Sequence, residues 1–483
     1  MKILVANRGE IACRLIAGIR ELGHEAVAVF TDVDADAPHV RLADHAIGLG
    51  EPRAYLDIAK LIDAMKATGA KAVHPGYGFV SQSAEFVEAC DAAKVTFIGP
   101  SAKAMRALGD KRGSRQLAES AQVPVVPGDK SIEDPAAAQR IADRIGYPVL
   151  LKASGGGGGK GMRRVDDAKQ IAEAFAAAQR EAKAAFGDDR MQIEKYVHPA
   201  RHVEVQVLGD GKRAIALGDR ECSLQRRYQK IIEEGPSAAI SDETRQALHA
   251  AAVRLAEAAQ YASAGTVEFI VGPDGGFYFL EVNTRLQVEH PVTELITGFD
   301  IVRAQIEIAL GGSLPQQAPP SRGHAIEARL NAEDPYHGFL PQTGKLLVVE
   351  WPRLPGVRVD AGVAQGSEVT PAYDSLLAKV IAHGSTREEA RTRLLAALRA
   401  TTVLGVVTNQ IFLSQLLESD AFKTAQTFTT TVETATWPEP PVPAYVDELA
   451  RAAAVTVRRS SASGGDVYSP WQRLGGFRMS TGT

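Results

Sequence analysis

At 483 residues, with 54 Lys and Arg against 58 Asp and Glu for a net charge of -4, the chain exceeds the ~100 to 150 residues at which single domains are commonest. It is 45% hydrophobic and 23% charged, and no apolar run approaches the roughly 20 residues of a membrane helix. Integral-membrane, collagen-like and wholly disordered classes are excluded, and without a basic stripe no nucleic-acid partner is expected. Cys13, Cys90 and Cys222 are too scattered for a disulfide or Cys-x-x-Cys framework, and the charged start Asn7-Arg8-Gly9-Glu10 interrupts any signal-peptide core. A cytoplasmic protein with no membrane segment is the expectation.

Residues 2–6 form a short apolar strand pattern, and Ile11, Leu15, Ile19 and Leu22 then recur at helical spacing until Gly23. Strands are predicted at 24–30, 72–74 and 95–98, with a helix over 57–66. This alternation argues a doubly wound α/β unit. Its first turn, Ala6-Asn7-Arg8-Gly9-Glu10, lacks G-x-G-x-x-G, so nicotinamide or flavin binding is not expected. Strand patterns follow at 147–153, 162–165, 192–196 and 202–208, with a helix over 167–186 and strand-rich stretches at 266–288 and 323–381. The prolines of 437–443 exclude helix and ladder alike and read as a linker. The resulting division is 1–110, 111–207, 208–436 and 437–483.

Five adjacent glycines, Gly155 to Gly159, follow Lys152 and precede Lys160. Such a run suits backbone N–H groups that close on phosphate oxygens. It is no Walker A loop, because Ser154 replaces the first Gly, Gly161 replaces the Ser/Thr, and residues 162–165 read as strand. A strand, glycine loop, strand flap over a nucleotide is expected, with a flexible linker as the bland alternative.

Asp274-Gly275 between apolar runs signals a hairpin. With those two as its loop, Glu268 falls opposite Glu281, their Cβ atoms ~4.5 to 5.5 Å apart, and opposed like charges call for a cation. Asn283 projects from the same face, so the set suits Mg²⁺. A solvated face, or a register slipped by a bulge, is the alternative. From Glu281 to Glu289 every second residue is polar, through Asn283, Arg285 and Gln287, as in an extended segment with one polar side. Arg285 offers a fork for a small oxyanion, and Glu289 is a candidate general base tuned by Arg285.

These stretches, together with 74–79 (HPGYGF), 201–204 (RHVE), 225–234, 329–334 (RLNAED) and 373–375 (YDS), resemble biotin carboxylase, the ATP-grasp component of biotin-dependent carboxylases, from Ile3 to about Thr434. The resemblance implies a Rossmann-like N-terminal domain, an ATP-grasp region with a glycine-loop lid and a mixed α+β C-terminal region. It implies that Lys111, Lys152, Gly157, Gly158, Gly159, Met162, Glu194, Lys195, Val197, His202 and Gln225 line the ATP site. Glu268, Glu281 and Asn283 would hold Mg²⁺ or Mn²⁺. Lys230, Arg285, Gln287 and the Val288 backbone would hold bicarbonate, which Glu289 deprotonates for attack on the γ-phosphate, giving carboxyphosphate and ADP. Carboxyphosphate then releases CO₂, phosphate takes the biotin N1 proton, Arg329 stabilises the enolate and Tyr77 flanks the ring. A biotin carrier domain or chain, a carboxyltransferase and a homodimer are the implied partners.

Tyr228 stands where the family usually has His, Gln82-Ser83 where it has Glu-Asn, and one extra residue lengthens the 272–276 loop. Ala64-Met65-Lys66 imitates the biotinyl tripeptide but lies in a helical pattern, and Cys222 reads as a packing residue. Another ATP-grasp ligase, or a nucleotide-binding subunit without turnover, is the competing expectation.

Overall fold

The computed structural model describes residues 1–153, 162–186 and 191–441, together with Val446, Glu448, Leu449 and Arg451. Its N-terminal sheet is parallel, with β1 (Lys2–Val5), β2 (Glu25–Phe30), β3 (His45–Gly48), β4 (Ala72–His74) and β5 (Thr96–Phe97) in the order β3-β2-β1-β4-β5. Both faces are covered, which is why these strands read as continuous apolar runs. Ile3 and Val5 pack on Ile11, Leu15 and Ile19 of α1 (Gly9–Glu21), while Leu4, Val27 and Val29 pack on Leu61, Met65 and Phe86. The helix expected at 57–66 spans Ile58–Thr68, capped by Asp57 and ended by Gly69 at φ 72°. Lys66 therefore projects from a helix.

A second, antiparallel sheet holds β6 (Gly128–Ile132), β7 (Val149–Ala153), β8 (Met162–Val165) and β9 (Met191–Lys195) in the order β6-β9-β7-β8. It has its own core, including Val149, Leu151, Phe175 and Ile193. Lys152 pairs with Met162, so the glycine run is bracketed by the two paired strands expected of a flap. Gly157, Gly158 and Gly159 themselves lie outside the described residues.

The third sheet is antiparallel and eight-stranded. It joins β10 (Arg201–Asp210), β11 (Ala214–Arg226), β12 (Gln229–Gly235), β13 (Ala262–Val271), β14 (Phe277–Asn283), β15 (His324–Asn331), β16 (Val357–Ala361) and β17 (Leu376–Gly384) in the order β14-β13-β10-β11-β12-β15-β17-β16. Alternate residues such as Val203, Val205, Val267 and Phe269 pack with Leu248 and Leu255, and Ile326, Ala328 and Val380 pack with Leu394 and Leu398. Period two sends Glu204, Gln206, Glu268, Glu327, Arg329 and Lys379 to the other side of the same strands, where all but Arg329 are also buried. Residues Met1–Trp437 form one compact unit. Among the described residues no helix is long and apolar enough to cross a membrane.

Two expectations need correcting. The 266–283 hairpin does not turn on Asp274-Gly275 alone: Val271 pairs with Phe277, and Gly272 N–H donates to the Gly276 carbonyl across a five-residue tip. A bulge between Phe279 and Glu281 restores the count, so Glu268 does sit opposite Glu281. The period-two segment is not one strand either. β14 ends at Asn283, and Glu289 caps α2 (His290–Thr297) instead of closing an extended run.

Candidate active site

Lys230 organises the buried polar side. Strand β12 presents it next to β11, opposite Gln225. Its Nζ donates to Glu204 Oε2 at 2.5 Å, Glu268 Oε1 at 2.8 Å and Glu289 Oε1 at 2.7 Å. Burial works against its charge, but Cys222, Glu204, Glu289 and Glu268 hold its pKa well above that of a free lysine. Behind it, the fully buried Arg220 donates from Nε to Glu204 Oε1 at 2.6 Å and from Nη1 to Gln206 and Thr293.

Glu289 is 0% exposed. Lys230 holds one of its oxygens, and Arg329 Nη2 donates to the other at 2.9 Å. Burial alone would raise its pKa; Lys230, Arg329 and Arg220 together push it well below the usual carboxylate range. Arg285 was expected to tune it directly, but its guanidinium donates elsewhere, to Gln287 Oε1 at 2.7 Å, the Leu286 carbonyl at 3.0 Å and Asn283 Oδ1 at 3.2 Å. Burial depresses the Arg285 pKa. The hydrogen-bonding cations on Glu289 are thus Lys230 and Arg329. Cys222 is buried with its thiol 3.9 Å from Glu289, and burial drives its pKa up.

Glu268 accepts from Lys230, Asn283 Nδ2 at 2.9 Å and Gln287 Nε2 at 3.1 Å, and His202 Nε2 lies 3.1 Å from its Oε2. Burial opposes ionisation, yet Lys230 and His202 hold its pKa well below normal. Glu281, its cross-strand neighbour, is exposed. Two carboxylates facing one side, one of them held ionised, fit a hard divalent cation such as Mg²⁺. The Asn283 oxygen faces Arg285 in this structure, so the two glutamates make the better-matched part of the expected set. His202, expected among the ATP residues, lies beside Glu268, and His202, Glu204 and Glu268 bring their ligand atoms within 4.8 Å of one another.

Among the remaining ATP-site expectations, Lys152 donates to Glu194 across β7 and β9. Met162 flanks Lys152, and Val197 borders Gly272. The Lys195 ammonium donates to the carbonyls of Gly146 and Tyr147 at 3.0 and 2.9 Å. Lys111 opens the helix Lys111–Ser120, and its side chain lies outside the described residues. Tyr77 donates its hydroxyl to Glu10, while Asn7 Nδ2 donates to the carbonyls of Pro75 and Tyr77. Asn7 thus ties the first turn to the Tyr77 loop.

Sequence reading missed Glu204, Arg220, Glu233, Glu327 and Lys379. Glu204 and Glu327 showed polar alternation between apolar neighbours, which looks the same on a wet face. Tyr228 occupies a two-residue hairpin tip with Arg227, at φ 67° and 48°, and is 79% exposed. Ser83 caps the helix Ala84–Ala92 by accepting from Phe86 N–H.

Paired strands on either side of the glycine run, facing glutamates and a Lys/Arg-clamped carboxylate fit the ATP-grasp fold. The family model of the biotin carboxylase N-terminal domain matches residues 1–105, that of the ATP-binding domain of the carbamoyl-phosphate synthase L chain residues 110–317, and that of the biotin carboxylase C-terminal domain residues 327–434. The chain is 46% identical over 435 residues to a pyruvate carboxylase subunit of Methanothermobacter thermautotrophicus, covering 89% of this chain and 88% of that one. It is 48% identical over 430 residues to the human mitochondrial propionyl-CoA carboxylase alpha chain, covering 87% of this chain but only 59% of that relative's length. The biotin carboxylase domain dimer of Hydrogenobacter thermophilus 2-oxoglutarate carboxylase, solved with MgADP, ADP and bicarbonate, superposes with a TM-score of 0.81 at 42% identity over 91% of this chain and 99% of that one. Campylobacter jejuni biotin carboxylase in a β,γ-ATP complex gives 0.82 at 41% identity over 90% and 98%. The chain belongs to the biotin carboxylase family.

Proposed function

We propose that this chain carboxylates biotin with ATP and bicarbonate, the first half-reaction of a biotin-dependent carboxylase, on biotin borne by a separate carrier domain or chain. The carrying observation is Glu289, buried and ionised between Lys230 and Arg329 in the cluster that also holds Glu268. Lys152, Met162, Glu194, Lys195, Val197, His202 and Gln225, with Lys111 and the glycine run, line the nucleotide site in this reading. Glu268 and Glu281, with Asn283 after a turn of its amide, hold Mg²⁺, which neutralises phosphate charge when bound. Arg285, Gln287 and the Val288 backbone seat bicarbonate beside Lys230. Glu289 takes its proton, a bicarbonate oxygen bonds to the γ-phosphorus, and the β,γ-bridging bond breaks to release ADP. Positioning and charge neutralisation carry the step. Carboxyphosphate then splits to CO₂ and phosphate, phosphate takes the N1 proton, and N1 attacks CO₂ beside Tyr77 and Arg329.

The same reading keeps the division 1–110, 111–207, 208–436 and 437–483. It adds a carboxyltransferase partner, pairing with a second copy as in the Hydrogenobacter domain, and a cytoplasmic setting. The test is ADP release with free biotin and bicarbonate. Wild type should depend on both, and Glu289→Gln should lower bicarbonate-dependent release by at least ~100-fold while leaving ATP affinity nearly intact. Turnover on an amine without biotin would favour another ATP-grasp ligase, and normal turnover in Glu289→Gln would remove Glu289 as the base.

A further inference from the structure

Lys379 is 0% exposed, on β17, and the reaction above gives it no task. Its Nζ donates to the Val288 carbonyl at 2.9 Å and pairs with Glu10 Oε2 at 3.1 Å, with Asp360 Oδ2 at 3.7 Å. Burying an ammonium is costly unless its partners are fixed, so a lysine here constrains whatever it touches. The Val288 carbonyl belongs to the peptide that leads into Glu289, and gripping it fixes the backbone from which the base projects. Arg329, which holds the Glu289 carboxylate, is the register partner of Lys379 across β15 and β17. On its other side, Glu10 also accepts the Tyr77 hydroxyl, and the Lys379 Nζ lies 6.0 Å from the centre of the Tyr77 ring.

We infer that Lys379 is a positioning residue for both substrates: one buried ammonium sets the bicarbonate segment against the Tyr77 loop, so the two sides of the reaction stay in register. This rests on the proposed biotin and bicarbonate sites. Asn7 strengthens it by fixing the Tyr77 loop through the carbonyls on either side of Gly76. The Glu10 ion pair is then the link through which a shift of either segment reaches the other.

The experiment is steady-state ADP release by wild type, Lys379→Met, Lys379→Arg, Tyr77→Phe and the Lys379→Met/Tyr77→Phe double variant, varying ATP, bicarbonate and free biotin separately. Lys379→Met should raise KM for bicarbonate and for biotin together by about tenfold or more, with KM for ATP within about twofold as a check on folding. Lys379→Arg, which keeps the charge, should recover part of both. In the double variant the biotin penalties should not multiply, since both substitutions cut one linkage. If Lys379→Met is insoluble, Glu10→Gln replaces it; the amide oxygen still accepts from Tyr77 while the ion pair is lost, and both KM values should rise together. Unmoved KM values with only a lower melting temperature, or penalties that multiply, would overturn the positioning role. A wild type without biotin- and bicarbonate-dependent release would instead overturn the functional reading itself.

Discussion

The chemistry of the site rests on how a few buried charges share one another. A carboxylate held as low as Glu289 is a weak base while Lys230 and Arg329 both serve it. An incoming anion that takes part of either cation, and adds its own negative charge nearby, raises the proton affinity of Glu289 when a proton is on offer. Base strength and substrate binding are thereby tied together. The scaffold beneath is Arg220, whose guanidinium is shared among Glu204, Gln206, Thr293 and Thr266. Arg220→Met should cost about 3 to 5 kcal/mol, because removing one partner leaves a buried carboxylate poorly compensated. Denaturant unfolding measures it, and a loss within about 0.5 kcal/mol would mean that Lys230 alone neutralises Glu204.

At the scale of elements, what was legible followed from periodicity and turn chemistry. Leu4, Val27 and Ile11 announced the parallel N-terminal unit through local pattern alone. The facing of Glu268 and Glu281 was legible from Asp274-Gly275, although a five-residue tip and a compensating bulge, not a two-residue turn, produce it. The burial of Glu204 and Lys379 was not legible, since the layers that cover their side of the sheet come from distant sequence. The partners of Glu289 were missed for the same reason: Lys230 and Arg329 lie 59 and 40 positions away, while Arg285 was merely the nearest cation in sequence. The flap sheet offers an element-level test because its core is separate. A Cβ at Gly128 would lie 2.2 Å from the Ile193 carbonyl oxygen and 2.9 Å from Glu194 Cα, where backbone cannot yield cheaply. Gly128→Ala should therefore part β6 from β9 and displace Glu194, raising KM for ATP by roughly tenfold while KM for bicarbonate stays within about twofold. Equal increases in both would show that the flap is not an independent element.

Across the whole molecule, buried groups pull stability in opposite directions with pH. Burial raises Glu10, Glu221 and Glu233 to about 7, against the ordinary carboxyl value of 4.5. Each binds its proton more tightly when folded, so its contribution is fully present below 4.5 and is lost as pH rises to about 7. Buried histidines work the other way. Burial lowers His74 to about 3 and His39 to about 4, and His290 well below normal, so their contribution is lost as pH falls below 6.5. Between pH 7 and 5.5 these carboxyls, joined by Glu204 and Glu327, gain as pH falls while the three imidazoles lose, at ~1.4 kcal/mol per group per pH unit, so the two sides oppose each other in the wild type. The difference between variants isolates one side of this balance. Glu221 accepts from Ser223 and, at 2.5 Å, from Ser237, and a neutral amide in its place keeps an acceptor without a buried charge. Glu221→Gln should gain on wild type as pH rises from 4.5 to 7, by roughly 3 kcal/mol in total. Denaturant midpoints of the two proteins measured across that range decide it, and a constant difference would mean that Glu221 is ionised throughout, its charge carried by Arg201 at 3.8 Å instead of shed by protonation.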